Sequence, residues 1–143
     1  MSKIITITIE EREIDKPKIV KNEDGSYGNV SDYARFFNSS CVAWSKDSEY
    51  NLMFLKQQQM HATARLRAAG YLFLNDVYDM LGMTRSKRGA VVGWVYDDKN
   101  PVGDNYVDFG IFEDHNQDFV NGYENDALLD FNVDGCILDK LTD

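Results

Sequence analysis

The segment of residues 47–69 carries the longest helical periodicity in the chain and limits the folds open to it. The apolar stripe, which recurs at steps of three and four residues, comprises Leu52, Leu55, Met60 or Gln59, Ala62, Leu66 and Ala69. Such spacing is typical of a helix with one face on a core. Ser45 or Asp47 suits its N-cap, and Gly70 suits the left-handed residue that ends a helix. We therefore expect one long helix here.

Shorter helices are predicted on both sides of it. In "GYLFLNDVYDMLGM", residues 70–83, Asn75 suits an N-cap and Gly82 a C-terminal stop, which predicts a helix over residues 75–81. Ser31 suits the N-cap of a short helix in "DYARFF", residues 32–37. Two helices joined by a short turn resemble a helix-turn-helix, but acidic residues of the second helix would face phosphate. We therefore do not expect this pair of helices to recognise a DNA sequence.

Strand signals frame the helical region. "KIITITIE", residues 3–10, alternates in period two, and "GAVVGWVY" and "YVDFGIF" flank a turn-rich loop, which predicts a hairpin over residues 90–112. The chain then reads as one α+β domain, residues 1–143, with a strand and turn region (1–30), a helical region (31–82) and a β-hairpin region (90–141). We expect an antiparallel sheet of the N-terminal strand and two hairpins, packed on one long and one short helix.

The last segment, "DFNVDGCILDKL", residues 130–141, allows two interpretations. Asp130, Asn132 and Asp134 fall at the ligand positions of an EF-hand calcium loop, but Leu141 replaces the closing Glu and no exiting helix is expected. Asp134-Gly135 is a favoured hairpin dipeptide between alternating polar and apolar residues. We favour the hairpin, with Cys136 as a buried thiol on its core side, and expect no metal or other cofactor.

Charge is distributed unevenly along the chain. Residues 1–30 hold five basic and six acidic side chains (net −1), residues 31–89 eight and five (net +3), and residues 90–143 two and thirteen (net −11), which together give −9. The acidic third would be repelled by nucleic-acid phosphates and anionic membranes, so no direct nucleic-acid or membrane partner is expected. Imitation of DNA toward a basic partner is physically allowed and stays open.

Composition indicates a protein of the cytoplasm. At 143 residues and 43% hydrophobic, the chain can bury a core of its own, no run is long enough to span a bilayer, and the N-terminus alternates instead of forming a signal peptide. The two cysteines form no CxxC motif. A nucleophile built on Cys41 with His61 or His115 would require the fold to bring distant residues together.

Two groups of residues are candidates for contact with a partner. "TRSKRG" holds the one basic cluster, Arg85, Lys87 and Arg88, and Tyr96 and Tyr106 flank the following loop. Exposed aromatic and basic side chains commonly anchor protein interfaces. The alternative is a solvated connection whose cations offset the C-terminal end of a helix, with rings that fill the core. The other aromatic side chains that a surface could use are Tyr33, Trp44 and Tyr123.

Acidic residues around the same loop permit a metal-dependent hydrolase. The candidate oxygen ligands are Asp97, Asp104, Asp108 and Glu113. Hard oxygen ligands suit Mg²⁺ or Mn²⁺. Turns also require Asp and Asn for backbone reasons, and the chain has no nucleophile elbow, phosphate loop or HExxH motif. The hydrolase is therefore the less favoured alternative.

Several motifs resemble those of an uncharacterised family of tailed bacteriophages and mobile elements, a domain of unknown function. They are "GYLFLNDVYDMLGM", "VGWVYD", "GDNYVDFGI" and "LLDFNVDG", and the likeness spans roughly residues 27–141. The resemblance implies a phage or prophage origin and supplies no activity, cofactor or catalytic residue.

These observations favour a small acidic phage protein of the host cytoplasm that binds a host or phage protein without catalysis. One alternative is a virion or assembly component, for which a homo-oligomer would be suited. The other is the metal-dependent hydrolase. We expect no enzymatic activity.

Overall fold

The computed structural model describes residues 30–141, and the predicted strand of residues 3–10 lies outside them. The elements are β1 (Arg35–Phe37), α1 (Ser48–Ala69), β2 (Tyr71–Phe73), α2 (Leu74–Leu81), β3 (Val92–Val95), α3 (Gln117–Val120), β4 (Ala127–Leu129), β5 (Gly135–Cys136) and α4 (Leu138–Leu141). Two 3₁₀ turns lie at Arg88–Ala90 and Asp114–Asn116. The predicted α+β class is confirmed. Between residues 30 and 141, no helix is long and apolar enough to cross a bilayer.

The long helix α1 begins and ends where the sequence predicts. Asp47 Oδ1 accepts hydrogen bonds from the backbone N–H groups of Glu49 (3.0 Å) and Tyr50 (3.3 Å), which would otherwise lack partners in the first turn. At the other end Gly70 takes φ = 90°, a left-handed conformation that suits glycine, and its N–H bonds to Leu66 O. Local chemistry therefore fixes both ends of this helix.

The helix predicted over residues 75–81 forms one residue earlier, as α2, and Asn75 is not its cap. The carboxylate of Asp76 instead accepts from the N–H of Phe73 (3.2 Å), the residue that precedes the helix. The side chain of Asn75 is buried and holds the next loop through the backbone of Ser86. Its Oδ1 accepts from the N–H of Ser86 (2.9 Å), and its Nδ2 donates to the carbonyl oxygen of Ser86 (2.9 Å). The cap prediction was wrong because the carboxamide has a better partner across the loop.

The short helix predicted over residues 32–37 is wrong as well. Residues 35–37 form β1, which pairs antiparallel with β4, Arg35 opposite Leu129 and Phe37 opposite Ala127. Phe37 is fully buried in that register. Pairing to a distant strand thus overrides the local cap signal of Ser31.

A three-stranded antiparallel sheet, in the order β2-β3-β5, forms the other layer. Leu72 lies opposite Trp94 in its register, and Phe73 lies opposite Gly93. A Cβ placed on Gly93 would meet the carbonyl oxygen of Leu72 at 2.1 Å and Cα of Phe73 at 2.8 Å. Glycine is required here because the neighbouring backbone of β2 leaves no room for a Cβ.

The predicted hairpin over residues 90–112 is not formed. Its first half is β3, which pairs with β2 and β5. Its second half lies along residues 130–132, where Asp130 N–H donates to Phe109 O (3.0 Å) and Asn132 N–H donates to Asp108 O (3.1 Å). The turn-rich loop between the halves therefore connects two separate layers instead of closing a ribbon.

The predicted C-terminal hairpin is also absent, because its two halves pair with different strands. β4 belongs to the sheet of β1, and β5 belongs to the sheet of β3. Gly135 does take a positive φ of 118°, so the Asp-Gly signal marks a real change of direction. A two-residue hairpin would have turned Ile137 outward with Asn132, whereas Ile137 is fully buried and Cys136 is exposed. The predicted buried thiol of Cys136 is therefore wrong, and α4 follows where no helix was expected.

One hydrophobic core joins α1, α2 and both sheets. Its largest fully buried side chains are Trp94, Phe37, Phe109, Phe119, Leu55, Leu66, Leu74 and Leu81. Phe131 lies edge-on to Phe109 (ring centroids 5.5 Å apart) and to Tyr78 (5.9 Å). The segment after β4 thus places an aromatic ring in the centre of the core.

We predict that Gly93→Ala destabilises the protein by about 3 kcal/mol, because the added methyl group must separate β2 from β3. Urea unfolding measures the change. Gly70→Ala serves as the comparison, since no atom lies within 4 Å of a Cβ there and only the left-handed backbone is penalised, by about 1 kcal/mol. A smaller effect at position 93 than at position 70 would contradict the close strand packing.

Candidate functional site

Asn132, one of the calcium-ligand candidates, is the most densely bonded side chain of the C-terminal segment. Its Oδ1 accepts from Trp94 Nε1 (2.8 Å) and from the backbone N–H of Asp108 (2.7 Å). Its Nδ2 donates to Asp104 Oδ2 (3.0 Å) and to the carbonyl oxygen of Tyr106 (3.0 Å). Both ends of the carboxamide are fully used. Asn132 therefore joins the buried indole to the segment of residues 104–108.

The two neighbouring carboxylates are engaged in the same manner. Asp130 accepts from both the N–H (3.3 Å) and the hydroxyl of Ser31. Asp134 Oδ2 accepts from Val95 N–H (2.9 Å) at the end of β3, and burial raises the pKa of Asp134. The three EF-hand-like oxygens thus point to three different parts of the protein. Across residues 30–141 no three His, Cys, Asp or Glu side chains are grouped so as to hold a metal ion.

The carboxylates proposed for a hydrolase do not converge either. Asp97 Oδ1 accepts from the N–H groups of Lys99 and Asn100 (3.0 Å each) and so closes its own turn. Asp104 binds Asn132, and Asp108 Oδ1 accepts from Gly110 N–H (2.8 Å). Each of these three is used by the backbone or by an amide, as turn chemistry requires.

The cysteines and histidines are separated. Cys41 is buried, with Sγ 3.7 Å from the carbonyl oxygen of Phe36, and His61 lies on the exposed side of α1. His115 is buried, and its Nε2 lies 2.9 Å from the carbonyl oxygen of Leu128, which can only accept, so Nε2 carries the proton. Each of these side chains therefore lies in a separate environment.

The basic cluster holds its own loop in place. Arg85 Nε donates to Asp79 Oδ1 (3.0 Å), and this contact lowers the pKa of Asp79. Arg88 donates to the hydroxyl of Tyr33 (2.9 Å) and lies over its ring, 4.9 Å from the centroid. Lys87 is exposed on the same loop. Arg85 and Arg88 thus have structural partners, and the role of the cluster in partner binding stays a prediction.

Tyr96 and Tyr106, the other predicted contact residues, stand at the base of one loop. The carboxamide of Asn105 accepts from Asp97 N–H (3.1 Å) and donates to Asp97 O (3.1 Å), which closes the loop between the two tyrosines. Tyr106 is exposed, and Tyr96 lies under the guanidinium of Arg67, 5.9 Å from ring centroid to Cζ. The structure therefore brings Tyr96 to the C-terminal end of α1, whereas Arg88 lies before the start of β3.

The surface that sequence patterns missed is the outward side of α1. Its inward side is a stripe of buried residues, Asn51, Leu55, Ala62 and Leu66. The opposite side comprises Tyr50, Met53, Gln57, Met60, Ala64 and Arg67, all exposed, which we call the outer face of α1. Met53 is 58% and Met60 70% exposed. The outer face thus carries two large apolar side chains in its middle, and the sequence alone does not say whether Gln59 or Met60 faces the core.

A hydrogen bond shows which of Gln59 and Met60 faces the core. Gln59 Oε1 accepts from the N–H of Phe109 (2.7 Å), so Gln59 turns inward and Met60 outward. Phe112, also exposed, lies beside the outer face, with Lys56 Nζ 5.9 Å from its ring centroid. An exposed apolar surface of this kind on a small domain is typical of a contact site.

We predict that Asp134→Asn stabilises the protein at pH 7. Because burial raises the folded pKa of Asp134 above 3.8, ionisation of this carboxyl opposes folding at neutral pH, and the penalty disappears as the pH falls through the folded pKa. Asn keeps the oxygen that accepts from Val95. The stability difference between variant and wild type, measured by urea unfolding from pH 7 to pH 4, should therefore shrink on acidification. If Asp134 served a bound cation, the substitution would instead remove stabilisation by added Ca²⁺.

We predict that Asn132→Asp destabilises the protein by about 1 to 2 kcal/mol, because it replaces the donor of a half-buried side chain with a charge that faces Asp104 Oδ2 and Tyr106 O. The double variant Asn132→Asp/Asp104→Asn restores a donor–acceptor pair and should recover part of that loss. A double-mutant cycle by chemical unfolding measures the coupling. Additive effects of the two substitutions would rule out the direct contact.

Comparison with known proteins identifies a family for this chain. No curated protein and no solved structure matches the chain. A family model matches residues 2–141, which is nearly the whole chain. The match therefore also covers the N-terminal residues that precede the motifs quoted above. The chain belongs to the family described as "Family of unknown function (DUF6353)".

Proposed function

We propose that this chain acts by binding a protein through the outer face of α1, without chemistry of its own. The observation that carries the proposal is the exposure of Met53 and Met60 in the middle of a helix whose opposite side is fully buried. Methionine is flexible and polarizable, so it adapts to an opposing surface at low cost. A helix that keeps large apolar side chains in water is suited to a partner that covers them.

The ends of the outer face carry residue types that commonly anchor interfaces. Tyr50 is 51% exposed near the start of α1 and stacks on Phe54, with ring centroids 6.4 Å apart. Arg67 lies near the other end and is supported by Tyr96. Tyrosine and arginine are enriched among residues whose removal weakens protein complexes most. The face therefore has an apolar centre between two amphipathic anchors.

Charge also favours this side of the molecule for association. α1 holds one acidic and three basic side chains (net +2), whereas residues 90–143 hold two basic and thirteen acidic ones (net −11). An acidic partner, or a second acidic chain, meets less repulsion at α1 than over the C-terminal third. Four of the side chains considered for catalysis, Asp97, Asp104, Asp108 and His115, are meanwhile bonded to the backbone or to a neighbouring amide, which supports a non-catalytic role.

We further propose that the chain originates from a phage or mobile element and acts in the host cytoplasm, where its partner is a host or phage protein. The motifs "GYLFLNDVYDMLGM" and "LLDFNVDG" support this origin by their resemblance to phage sequences. Neighbouring phage genes in the genome of origin would support it further.

A photo-reactive amino acid at Gln57, in the centre of the outer face, tests the binding function in the cells of origin. We expect a protein cross-link at position 57 that disappears when Met53→Glu and Met60→Glu are added, because two charges cannot be buried against an apolar partner. Val42, which is 90% exposed and lies outside α1, is the matched control position. Equal labelling at positions 57 and 42, or labelling that survives the two Glu substitutions, would reject the proposal.

A further inference from the structure

We infer that the protein bound by the outer face of α1 is a second copy of this chain, whose α1 packs against it in antiparallel orientation. This inference rests on the proposed function and names the partner of that same face. The spacing and side-chain size of the six residues of the outer face support it, as does the charge at the two ends of α1.

The spacing of the outer face is that of a helix–helix seam. Its residues 50, 53, 57, 60, 64 and 67 follow one another at steps of 3, 4, 3, 4 and 3. Alternation of three and four residues keeps a stripe facing one partner helix along its whole length, here roughly 25 Å at 1.5 Å per residue. This order of steps is the same in both directions along the helix. A twofold axis through the midpoint of the stripe therefore places the stripes of two antiparallel copies opposite each other, residue for residue.

That axis pairs side chains of complementary size and type. Tyr50 meets Arg67 of the partner subunit, Met53 meets Ala64 of the partner subunit, and Gln57 meets Met60 of the partner subunit. The first pair is a cation–π contact, and the second places a long side chain over a small one. Gln57 covers Met60 with its aliphatic part and leaves its amide at the edge. Each pair occurs twice because the contact is symmetric.

Charge selects the antiparallel orientation over the parallel one. Glu49 lies at the N-terminal end of α1, and Arg65 and Arg67 lie in its last turns. Antiparallel packing sets Glu49 of each copy beside Arg67 of the partner subunit, whereas parallel packing would set Arg67 against Arg67. The helix macrodipoles are also opposed in the antiparallel pair. Antiparallel self-pairing therefore joins unlike charges at both ends.

The rest of the surface explains why self-association would be confined to α1. The chain carries a net charge of −9, of which −11 lies in residues 90–143 and +3 in residues 31–89. Two copies repel over the acidic third and approach with least repulsion across the helical region. Tyr96 lies under Arg67 at that surface and supports its guanidinium group.

Sedimentation velocity of the purified full chain, over roughly 5 to 500 µM, tests the inference. We expect a reversible monomer–dimer equilibrium that Met60→Glu weakens by at least about tenfold. Met60→Leu should preserve it, and Val42→Glu, which adds the same charge at an exposed site outside α1, should leave it unchanged. A far-ultraviolet circular dichroism spectrum unchanged from that of the wild type, recorded for each variant, establishes that the exposed substitutions leave the fold intact.

Charge reversal tests the orientation. Glu49→Arg and Arg67→Glu should each weaken the dimer, and the double variant should restore it, because the exchanged charges again meet as opposites in the antiparallel pair. A single monomeric species for the wild type, or a double variant as weak as the single ones, would overturn the inference. If the wild type is monomeric while position 57 still cross-links another protein in cells, the binding function stands and the second copy is excluded. If neither association nor a cross-link specific to position 57 occurs, both proposals fail.

Discussion

The carboxamide of Asn132 is the contact on which the arrangement of the layers depends. The C-terminal segment leaves one sheet at β4 and enters the other at β5, so its backbone and side chains must find partners between two layers. Asn132 provides four of these contacts at once, to the indole of the fully buried Trp94 and to residues 104, 106 and 108. Without Oδ1 of Asn132, the indole N–H of the buried Trp94 would lack its acceptor, which is costly for a buried donor. Polar and apolar side chains therefore alternate along residues 130–134 for structural reasons. Phe131 packs in the core, and the polar side chains are hydrogen-bonded to surrounding elements.

The bounds of α1 could be predicted from the sequence because the contacts that end this helix are local. Asp47 and Gly70 bound α1 through contacts within one turn, so a pattern of a few residues is sufficient. The prediction of a C-terminal hairpin was wrong for the opposite reason. Asp134-Gly135 does turn the backbone, but β4 and β5 pair with strands far away in the chain, and this long-range pairing buries Ile137. Nothing within residues 130–141 contains that information.

The candidate site shows the same limit. Asp130, Asn132 and Asp134 were rightly singled out as oxygen-bearing side chains with a regular spacing, and their donors come from the residue 31 turn, Trp94 and Val95. Spacing alone does not distinguish oxygens that face an ion from oxygens that face N–H groups supplied by other elements. The basic loop was similarly visible in the sequence, whereas the pairing of Arg85 with Asp79 and of Arg88 with Tyr33 depends on the fold. In both cases the residue types were predictable and their partners were not.

The exposure of the outer face of α1 follows from the polar contacts that fix the rotation of this helix. Asn51 binds Ser45 and the carbonyl oxygen of Asn125 (3.0 Å), Gln59 accepts from Phe109 N–H, and Thr63 Oγ1 accepts from Val107 N–H (3.0 Å). A rotation of one residue, about 100°, would bring Met60 toward the core but would break all three sets of contacts and leave buried backbone groups unpaired. The apolar gain from burying one methionine, about 2 kcal/mol, is smaller than the loss of several buried hydrogen bonds. Met53 and Met60 thus point away from the core because of the same interactions that position the inward side of α1, and we propose that a protein partner covers them.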